Sequence, residues 1–452
     1  MKIAKIRRTA AAPLVKSLVV SCFFLLLFSL FSAPGFGAVK PLYTYYNPFY
    51  GARSLGLGNA FTAVADDLTA VYRNPAGIAE FAGPKIFVDY RADRLKYDYA
   101  PQEFTSGDTV QTYTYNFSST LRNLDFVSIS VPVYFWDINW NFALSYYRLY
   151  PYGFEGQLRE EFLTGNGSGD SLTTLTLSGG SGIDVLGFTT AFYLTDYFSF
   201  GITLQQFINS GDMMYKYYSP TESYTRTYTE KINERNLVLG LMGKLTRDII
   251  IGVTYQTRFT ADFDTRYSHH DTGSGVTTTV VSYGTRAVFP AQLAVGLLLK
   301  PYPFMRASFE YSIFYWSDAR LYDYYGSSQE LKFPERDDFT FAQKDTVNYR
   351  MGVELNIPMD RATIFLRAGL FRDQQLFVDG ETPPAPVKFS GFSLGLGIDV
   401  LSMVQVDIGY MRQKSFWNEV AYFDPAAYVR TNYKNDIFAI SLTYSFGKRK
   451  EN

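Results

Sequence analysis

Residues 404–411 read Val-Gln-Val-Asp-Ile-Gly-Tyr-Met, and this short stretch carries the pattern that decides the fold. Apolar residues alternate with polar or small ones, which is the period of a β-strand whose two faces meet different surroundings. The same alternation occurs at residues 305–312 (Met-Arg-Ala-Ser-Phe-Glu-Tyr-Ser) and 349–356 (Tyr-Arg-Met-Gly-Val-Glu-Leu-Asn). A soluble β-sandwich would alternate in the same way, so the pattern predicts strands without deciding what surrounds them.

The lengths of the connections distinguish a membrane barrel from a sandwich. The alternation predicts fourteen strands, near residues 85–97, 124–135, 138–151, 183–194, 198–210, 235–246, 248–263, 287–300, 304–317, 346–357, 362–375, 389–400, 404–416 and 436–446. Short gaps such as 136–137 and 401–403 alternate with long ones such as 152–182 and 264–286. Tight periplasmic turns and long extracellular loops are typical of outer-membrane barrels. The sequence therefore predicts an all-β protein, a transmembrane antiparallel β-barrel of about 14 strands over residues 84–446.

The first 37 residues have the features of an export signal. A basic start is followed by an apolar run over residues 18–31, which is shorter than the ~20 residues of a membrane-spanning helix. Small residues at 35–37 predict cleavage before Ala38, so residues 1–37 are interpreted as a signal peptide. The only cysteine, Cys22, lies inside the apolar run, and the run continues past it, which disfavours lipidation at that site.

Composition and charge exclude several classes of function. The net charge of −1 gives no reason to expect nucleic acid as a partner. A chain without further long apolar segments can cross a membrane as a closed barrel, which predicts a multi-pass protein of the Gram-negative outer membrane. Its expected partners are outer-membrane lipid and the barrel-insertion machinery. The last strand is rich in aromatic residues up to Phe446, and residues 447–452 form a short C-terminal tail.

Residues 38–83 differ from the rest of the chain. They are rich in Gly, Ala, Asn and Pro, lack the strand alternation, and are too few to fold alone without cysteines or another staple. A barrel of about fourteen strands is wider than the ~8 strands whose side chains fill the interior unaided. The segment is therefore predicted to be an N-terminal plug, or hatch, inside the lumen.

Motifs in this segment resemble those of a known family. They are the Gly-rich stretch at 55–58 with Gly56 and Gly58, the acidic pair Asp66-Asp67, and the triplet Asn74-Pro75-Ala76. Together they resemble the plug of the FadL/OmpP1/TodX family of outer-membrane transporters for long-chain fatty acids and other hydrophobic compounds. Residues 290–317, 349–352 and 365–369 are similar to later strands of the same family.

The stretch 51–56 (Gly-Ala-Arg-Ser-Leu-Gly) is also similar to the related PorV/PorQ barrels, which are associated with protein secretion and surface assembly. Such a barrel would bind a protein instead of a small molecule, and it remains the alternative function. The greater length of this chain and its long connections favour the transporter.

Each motif of the plug has a functional and a structural interpretation. Asp66 and Asp67 would assist a ligand or bind a cation, or they would pair with lumenal arginines, as half-buried charges generally must. Asn74-Pro75-Ala76 would position a moving gate, or it would simply turn the chain, because Asn and Pro punctuate local structure.

The inward register of the predicted strands gathers charged residues in the lumen. These are Lys244, Arg258, Arg306, Glu310, Arg350, Glu354, Arg367 and Asp407. Arginine presents a fork that fits a carboxylate, so Arg306, Arg350 and Arg367 are candidates for binding the head group of a fatty acid. The structural alternative is a ladder of arginine–carboxylate pairs that holds the wall to the plug.

The sequence offers little for catalysis. The only histidines, His269 and His270, are predicted to lie in a loop over residues 267–273, and no motif for a metal or a cofactor accompanies them. The protein is therefore expected not to be an enzyme. Tyrosines predicted in the loops are interpreted either as a surface that captures apolar ligands or as an aromatic girdle at the membrane border, namely Tyr215, Tyr217, Tyr218, Tyr322, Tyr324 and Tyr325.

Taken together, the sequence predicts an outer-membrane channel for passive uptake of long-chain fatty acids or other hydrophobic compounds. Its ligand would be a hydrophobic small molecule or a fatty acid.

Overall fold

The structure, a computed structural model, describes residues 49–99, 102–106, 109–151, 156–164, 171–179, 182–208, 211–218, 223–230, 234–271, 277–318, 320–323, 330–331, 345–379, 385–420 and 428–446. For many of the residues farthest from the short turns it describes the backbone alone. The predicted signal peptide, the tail at 447–452, Tyr324 and Tyr325 lie outside the described residues.

The described residues form three kinds of element. Two short helices, α1 (Ala52–Gly56) and α2 (Ala70–Arg73), and a 3-10 helix, η1 (Pro75–Glu80), precede the strands. Another 3-10 helix, η2, covers Trp316–Asp318. Twenty-three strands follow one another in the described part of the chain: β1 (Lys85–Tyr99), β2 (Gln102–Ser106), β3 (Thr109–Phe135), β4 (Ile138–Pro151), β5 (Gly156–Thr164), β6 (Ser171–Gly179), β7 (Gly182–Tyr193), β8 (Phe198–Ile208), β9 (Gly211–Tyr218), β10 (Ser223–Glu230), β11 (Arg235–Lys244), β12 (Ile249–Gln256), β13 (Phe259–Asp271), β14 (Thr277–Phe289), β15 (Gln292–Tyr302), β16 (Met305–Phe314), β17 (Arg320–Asp323), β18 (Glu330–Leu331), β19 (Thr346–Pro358), β20 (Ala362–Asp379), β21 (Ala385–Val400), β22 (Val404–Val420) and β23 (Tyr428–Ser445).

Fourteen of these described strands close into a ring. Antiparallel pairing runs in the order β1-β3-β4-β7-β8-β11-β12-β15-β16-β19-β20-β21-β22-β23. The first and last strands then pair over the whole length of β1, from Lys85 with Ser445 to Tyr99 with Thr431. A closed ring has no sheet edge with unpaired backbone groups, and a β-sheet can span a bilayer only without such edges. The predicted fourteen-stranded antiparallel barrel is confirmed.

The two faces of the wall follow the predicted alternation. On β22, Asp407 and Met411 are buried while Ile408 is half exposed to the outside. On β19, Arg350 and Glu354 are buried, whereas Tyr349 and Met351 point to the outside. Polar groups therefore face the lumen and apolar groups face the surroundings, the reverse of a soluble protein.

The short connections are tight turns, as predicted. Trp136 and Asp137 join β3 to β4 with φ of 52° and 58°, and Leu401 and Ser402 join β21 to β22 with φ of 53° each. Two consecutive residues with positive φ are typical of the type I′ turns that match the twist of a hairpin.

The long connections are not the loops that the sequence predicts. Nine described strands lie outside the ring, and together with the extended part of β3 they pair in the order β2-β3-β5-β6-β9-β10-β13-β14-β17-β18. The predicted loop at 264–286 is largely the hairpin β13–β14, and His269 and His270 lie in β13. Tyr215, Tyr217 and Tyr218 lie in β9, and Tyr322 lies in β17. The prediction failed because Thr- and Tyr-rich stretches are polar, yet both residue types favour strands.

Residues 49–81 lie against the inward face of the ring. Helix α1 contacts β20 to β23, and η1 contacts β4, β7, β8 and β11 on the opposite side. Nearly every residue of this segment is buried, from Phe49 to Phe81. None of the helices in the described residues is long and apolar enough to cross a membrane.

The orientation in the membrane gives a first testable prediction. Tight turns lie on the periplasmic side of outer-membrane barrels, so a short tag inserted near Gly273 should be labelled on intact cells. A tag near Asp196, in the turn between β7 and β8, should be labelled only after the cells are permeabilised. The opposite labelling pattern would show that the barrel is inserted the other way round.

Candidate functional site

The backbone of the N-terminal segment touches the backbone of the wall at Gly56 and Gly58. A Cβ atom on Gly56 would lie 2.9 Å from the Cα of Gly395, and one on Gly58 would lie 2.9 Å from the carbonyl oxygens of Leu370 and Met351. Gly58 also has a positive φ of 63°, a conformation that favours glycine. Any side chain at these two positions would therefore push the segment off the wall.

Glycines on the wall meet the segment in the same way. A Cβ atom at any of eight inward positions, one on each of eight strands, would collide with backbone or side-chain atoms of residues 52–76: Gly201, Gly240, Gly252, Gly296, Gly352, Gly369, Gly395 and Gly409. These eight glycines were not predicted from the sequence to have a role. Their signal was present, because Gly352 and Gly409 occupy inward positions of the alternating pattern.

Arg53 on α1 ties the segment to the wall. Its Nε lies 3.0 Å from Oε2 of Glu354 on β19, and its guanidinium makes a two-pronged contact with Asp66. Arg306 on β16 reaches the same Asp66 at 2.9 Å. The predicted motif residue Asp66 is therefore held between one arginine of the segment and one of the wall.

The two residues of the acidic pair, Asp66 and Asp67, lie in different environments. Although burial opposes it, the guanidinium groups of Arg53 and Arg306 hold the pKa of Asp66 well below its usual range. Asp67 instead accepts hydrogen bonds from the backbone N–H of Thr69 at 2.8 Å and from its hydroxyl at 2.5 Å. Burial raises the pKa of Asp67, with Arg53 opposing the shift. The ion pairs of Asp66 and the local hydrogen bonds of Asp67 agree with the structural interpretation of the acidic pair.

Glu310 on β16 is a second point of attachment. One of its oxygens accepts from the backbone N–H groups of Phe61 and Thr62, each at 3.0 Å, and from the Thr62 hydroxyl at 2.8 Å. Its other oxygen lies 3.1 Å from Arg350, which also contacts Asp373 at 3.0 Å. Arg350 is thus placed between two buried carboxylates.

The other two candidate arginines are paired as well. Arg367 contacts Glu354 at 2.7 Å and Asp407 at 2.6 Å, and its side chain is fully buried. The side chain of Arg306 keeps 26% of its surface exposed while it contacts Asp66. These ion pairs form two groups, which together we call the ladder. One joins Arg306, Glu354, Arg367 and Asp407 to Arg53 and Asp66, and the other joins Arg350 to Glu310 and Asp373. Arg306 is the most accessible of the three candidates. Of the remaining predicted charges, Lys244 pairs with Glu80 at 2.8 Å and Arg258 is exposed.

The triplet Asn74-Pro75-Ala76 makes a turn that is fixed to the wall. The Asn74 amide donates to the carbonyl of Thr62 at 2.9 Å and to that of Leu241 on β11 at 3.2 Å. Its oxygen accepts from the N–H of Ala76, so that Asn74 caps η1 and Pro75 occupies the first turn. One side chain thus connects two parts of the segment and the wall.

Aromatic rings line the inward face at the end of the wall away from the short turns. Phe259 lies between Phe207 and Phe289, with ring centroids 4.3 Å and 4.5 Å apart. Phe389 and Tyr433 form a second stack at 4.4 Å on β21 and β23. The sequence analysis did not single out these residues. The described residues contain no group of three or more His, Cys, Asp and Glu that could hold a metal ion.

Comparison with known structures supports the same architecture. A FadL homologue from Pseudomonas aeruginosa is similar over 92% of this chain and all of its own, with 16% identity and a TM-score of 0.60. The toluene transporter TodX from Pseudomonas putida is similar over 89% of this chain and all of its own, with 16% identity and a TM-score of 0.55. The toluene transporter TbuX from Ralstonia pickettii is similar over 88% of this chain and 98% of its own, with 13% identity and a TM-score of 0.52. At such identities the likeness concerns the fold.

None of the curated proteins compared matches the chain. The sequence model of the family described as outer membrane protein transport protein (OMPP1/FadL/TodX), by contrast, matches residues 52–446, which include the segment and the whole ring of strands. The chain therefore belongs to the OmpP1/FadL/TodX family of outer-membrane transport proteins.

Proposed function

We propose that this protein admits hydrophobic compounds passively across the outer membrane, and that residues 38–83 are the plug that restricts the lumen. The observation that carries the proposal is the stack of Phe207, Phe259 and Phe289 on the inward face. The three rings lie at the proposed extracellular end of the interior and are at most 4% exposed, so a ligand would separate them to make apolar contact on its way in. Burial of apolar surface at such a stack contributes ~25 cal/mol per Å².

The pairing register of the strands beyond the ring sets two rows of Cα partners. One row consists of Phe117, Leu158, Leu175, Tyr217 and Tyr224, and the next consists of Ser118, Gln157, Thr176, Lys216 and Thr225. By residue type the first row is apolar or aromatic and the second is polar. Strand β10, which ends both rows, pairs in turn with β13, the strand that holds Phe259.

Neutral compounds and fatty acids place different demands on the interior. A neutral compound needs no change in the ladder of paired charges. A carboxylate needs a cation, and Arg350 and Arg367 are buried between carboxylates, which leaves Arg306 as the accessible candidate. We therefore favour neutral hydrophobic compounds, with long-chain fatty acids as the second candidate through Arg306. The secretion alternative is not favoured, because the matching family and the similar structures are those of transport proteins.

Uptake of a labelled fatty acid and of the alcohol of equal chain length tests this proposal. Phe259→Ala should lower uptake of both compounds about three- to tenfold, since an aromatic contact contributes ~0.5–1.5 kcal/mol. Phe309→Ala, which removes a ring from the outward face, is the matched control and should leave uptake unchanged. Equal uptake by the Phe259→Ala variant and the parent protein would contradict the capture route.

The arginine variant separates the two ligand classes. If the acid is a natural ligand, Arg306→Gln should weaken its binding about ten- to a hundredfold, because a charge-assisted hydrogen bond contributes ~1.5–3 kcal/mol. Binding of the alcohol should not change. A variant that binds both compounds as the parent does would exclude Arg306 as a carboxylate site and support neutral ligands.

A further inference from the structure

The outward face of five neighbouring strands changes from apolar to basic at a common distance from the short turns. On β22 the outward residues are Val404, Val406, Ile408 and Tyr410, and then Arg412 and Lys414. On β1 they are Ile86, Val88, Tyr90 and Ala92, and then Arg94 and Lys96. β20, β21 and β23 make the same change, at Arg372, Lys388 and Lys434.

The position of this change fits the border of a membrane. The seven basic residues are the ninth to thirteenth residues of their strands, counted from the ends at the short turns. A transmembrane strand needs ≈ 9–11 residues. With the short turns in the periplasm, these side chains stand where the outer leaflet has its head groups.

The pairing register brings several of these residues side by side. Lys414 is the Cα partner of Lys434, and Lys434 is the partner of Lys96. In the same row, Arg372 is the partner of Ser390, which pairs in turn with Lys414. We name the seven residues the cationic arc: Arg94, Lys96, Arg372, Lys388, Arg412, Lys414 and Lys434.

Carboxylates neutralise only part of the arc. Asp436 lies 2.6 Å from Arg412 and 3.1 Å from Lys434, and Asp98 lies 3.0 Å from Lys96. Among the described residues, no carboxylate lies within ion-pairing distance of Arg94, Arg372, Lys388 or Lys414, and all four side chains are exposed. On β8, β16 and β19 the comparable outward positions are apolar, at Ile208, Ile313 and Val347. Arg235 on β11, the tenth residue from the short turn, is also outward and exposed, and it donates to Gln206. The largest group of such cations is nevertheless the arc on β20 to β23 and β1.

A groove of about 650 Å³ adjoins one end of the arc. Its outward lining includes Phe309, Tyr349 and Leu370, and it reaches Arg372. Arg372 and Tyr349 are Cα partners, so the cation stands directly beside the apolar groove. A lipid with an apolar tail and an anionic head group would fit both the groove and the adjacent cation.

We propose that the cationic arc binds the phosphate groups of a phosphorylated lipid of the outer leaflet, with an acyl chain in the groove below Arg372. Phosphate fits because arginine and lysine recognise it by charge and, for arginine, by two parallel hydrogen bonds.

Titration of the full-length protein in detergent micelles with diphosphoryl lipid A tests this inference. Each basic residue near an anionic surface contributes ~1 kcal/mol, or about fivefold in affinity. Arg94→Gln combined with Lys414→Gln should therefore weaken binding about 25-fold. The charge-retaining pair Arg94→Lys and Lys414→Arg should bind as the parent does. Arg247→Gln with Arg361→Gln, exposed arginines at the short turns, is the positional control and should also bind normally.

Measurements on the unaltered protein keep the inference testable if a variant folds poorly. Its binding of lipid A should weaken with rising salt, because salt screens exposed charges. A lipid A without phosphates, or the phosphorylated disaccharide without acyl chains, should bind much more weakly. Equal binding of either compound, equal affinity of the Gln variants, or a stoichiometric protein in place of lipid in native mass spectra would overturn the inference.

Discussion

Replacing Glu354 with glutamine is expected to loosen the N-terminal segment from the wall and to lower the stability of the barrel by about 3–5 kcal/mol, the usual effect of removing one partner from a buried ion pair. Glu354 has 1% of its side chain exposed and contacts Arg53 at 3.0 Å and Arg367 at 2.7 Å. Glutamine keeps the size of the side chain but leaves two buried guanidinium groups with less negative charge. The temperature at which the folded form disappears from heat-modifiable gels should therefore fall.

The matched control for this variant is Asp98→Asn. Asp98 also pairs with a cation, Lys96, but both side chains are about half exposed, at 44% and 55%. An exposed ion pair contributes at most ~1 kcal/mol, so this variant should unfold at nearly the parent temperature. Equal unfolding temperatures for Glu354→Gln and Asp98→Asn would show that the ladder does not hold the segment.

Removing the proposed plug should turn the protein into an open pore. Deletion of residues 38–83 is expected to give large, long-lived conductance steps in planar bilayers where the full-length protein gives small ones. The physical reason is that a ring of fourteen strands is wider than its own side chains can fill. A folded deletion variant with unchanged conductance would contradict the proposed role of the segment.

A single substitution tests the same idea without a deletion. A Cβ atom at Gly369 would lie 2.5 Å from the carbonyl carbon of Leu57, so Gly369→Leu should displace the segment while leaving the chain complete. Ala368→Leu places the same side chain one residue away on the outward face, where the lipid accommodates it. Only the Gly369→Leu variant should show open-pore events, and similar traces for both variants would exclude the contact as a seal.

The strands of the wall could be predicted from the sequence because the residues of each strand alternate between an apolar outward face and a polar inward face. The alternation at 349–356 places Arg350 and Glu354 inside, and the structure confirms that register. Register is readable locally because a shift by one residue would move every side chain to the wrong face. The short turns were predictable for the same reason, although Trp136-Asp137 lacks the Asn-Gly signal of such turns.

What the sequence could not give was the partner of each charge. Arg367 contacts Asp407, 40 residues away, and Arg53 contacts Glu354, 301 residues away. Such pairs depend on how the ring closes and how the segment sits within it, which no local pattern records. The strands beyond the ring were missed for a different reason, because strands rich in Thr, Tyr and charged residues, such as β10 and β13, were interpreted as polar connections.

The eight inward glycines carry a consequence for how relatives of this protein can be combined. A layer of interdigitating side chains absorbs sequence change by adopting new rotamers, but two backbones in direct contact have no such freedom. A segment taken from a relative would fit this ring only if the ring of that relative has glycines at the same inward positions. A working chimera should therefore exchange the segment together with the eight glycines that it contacts: Gly201, Gly240, Gly252, Gly296, Gly352, Gly369, Gly395 and Gly409.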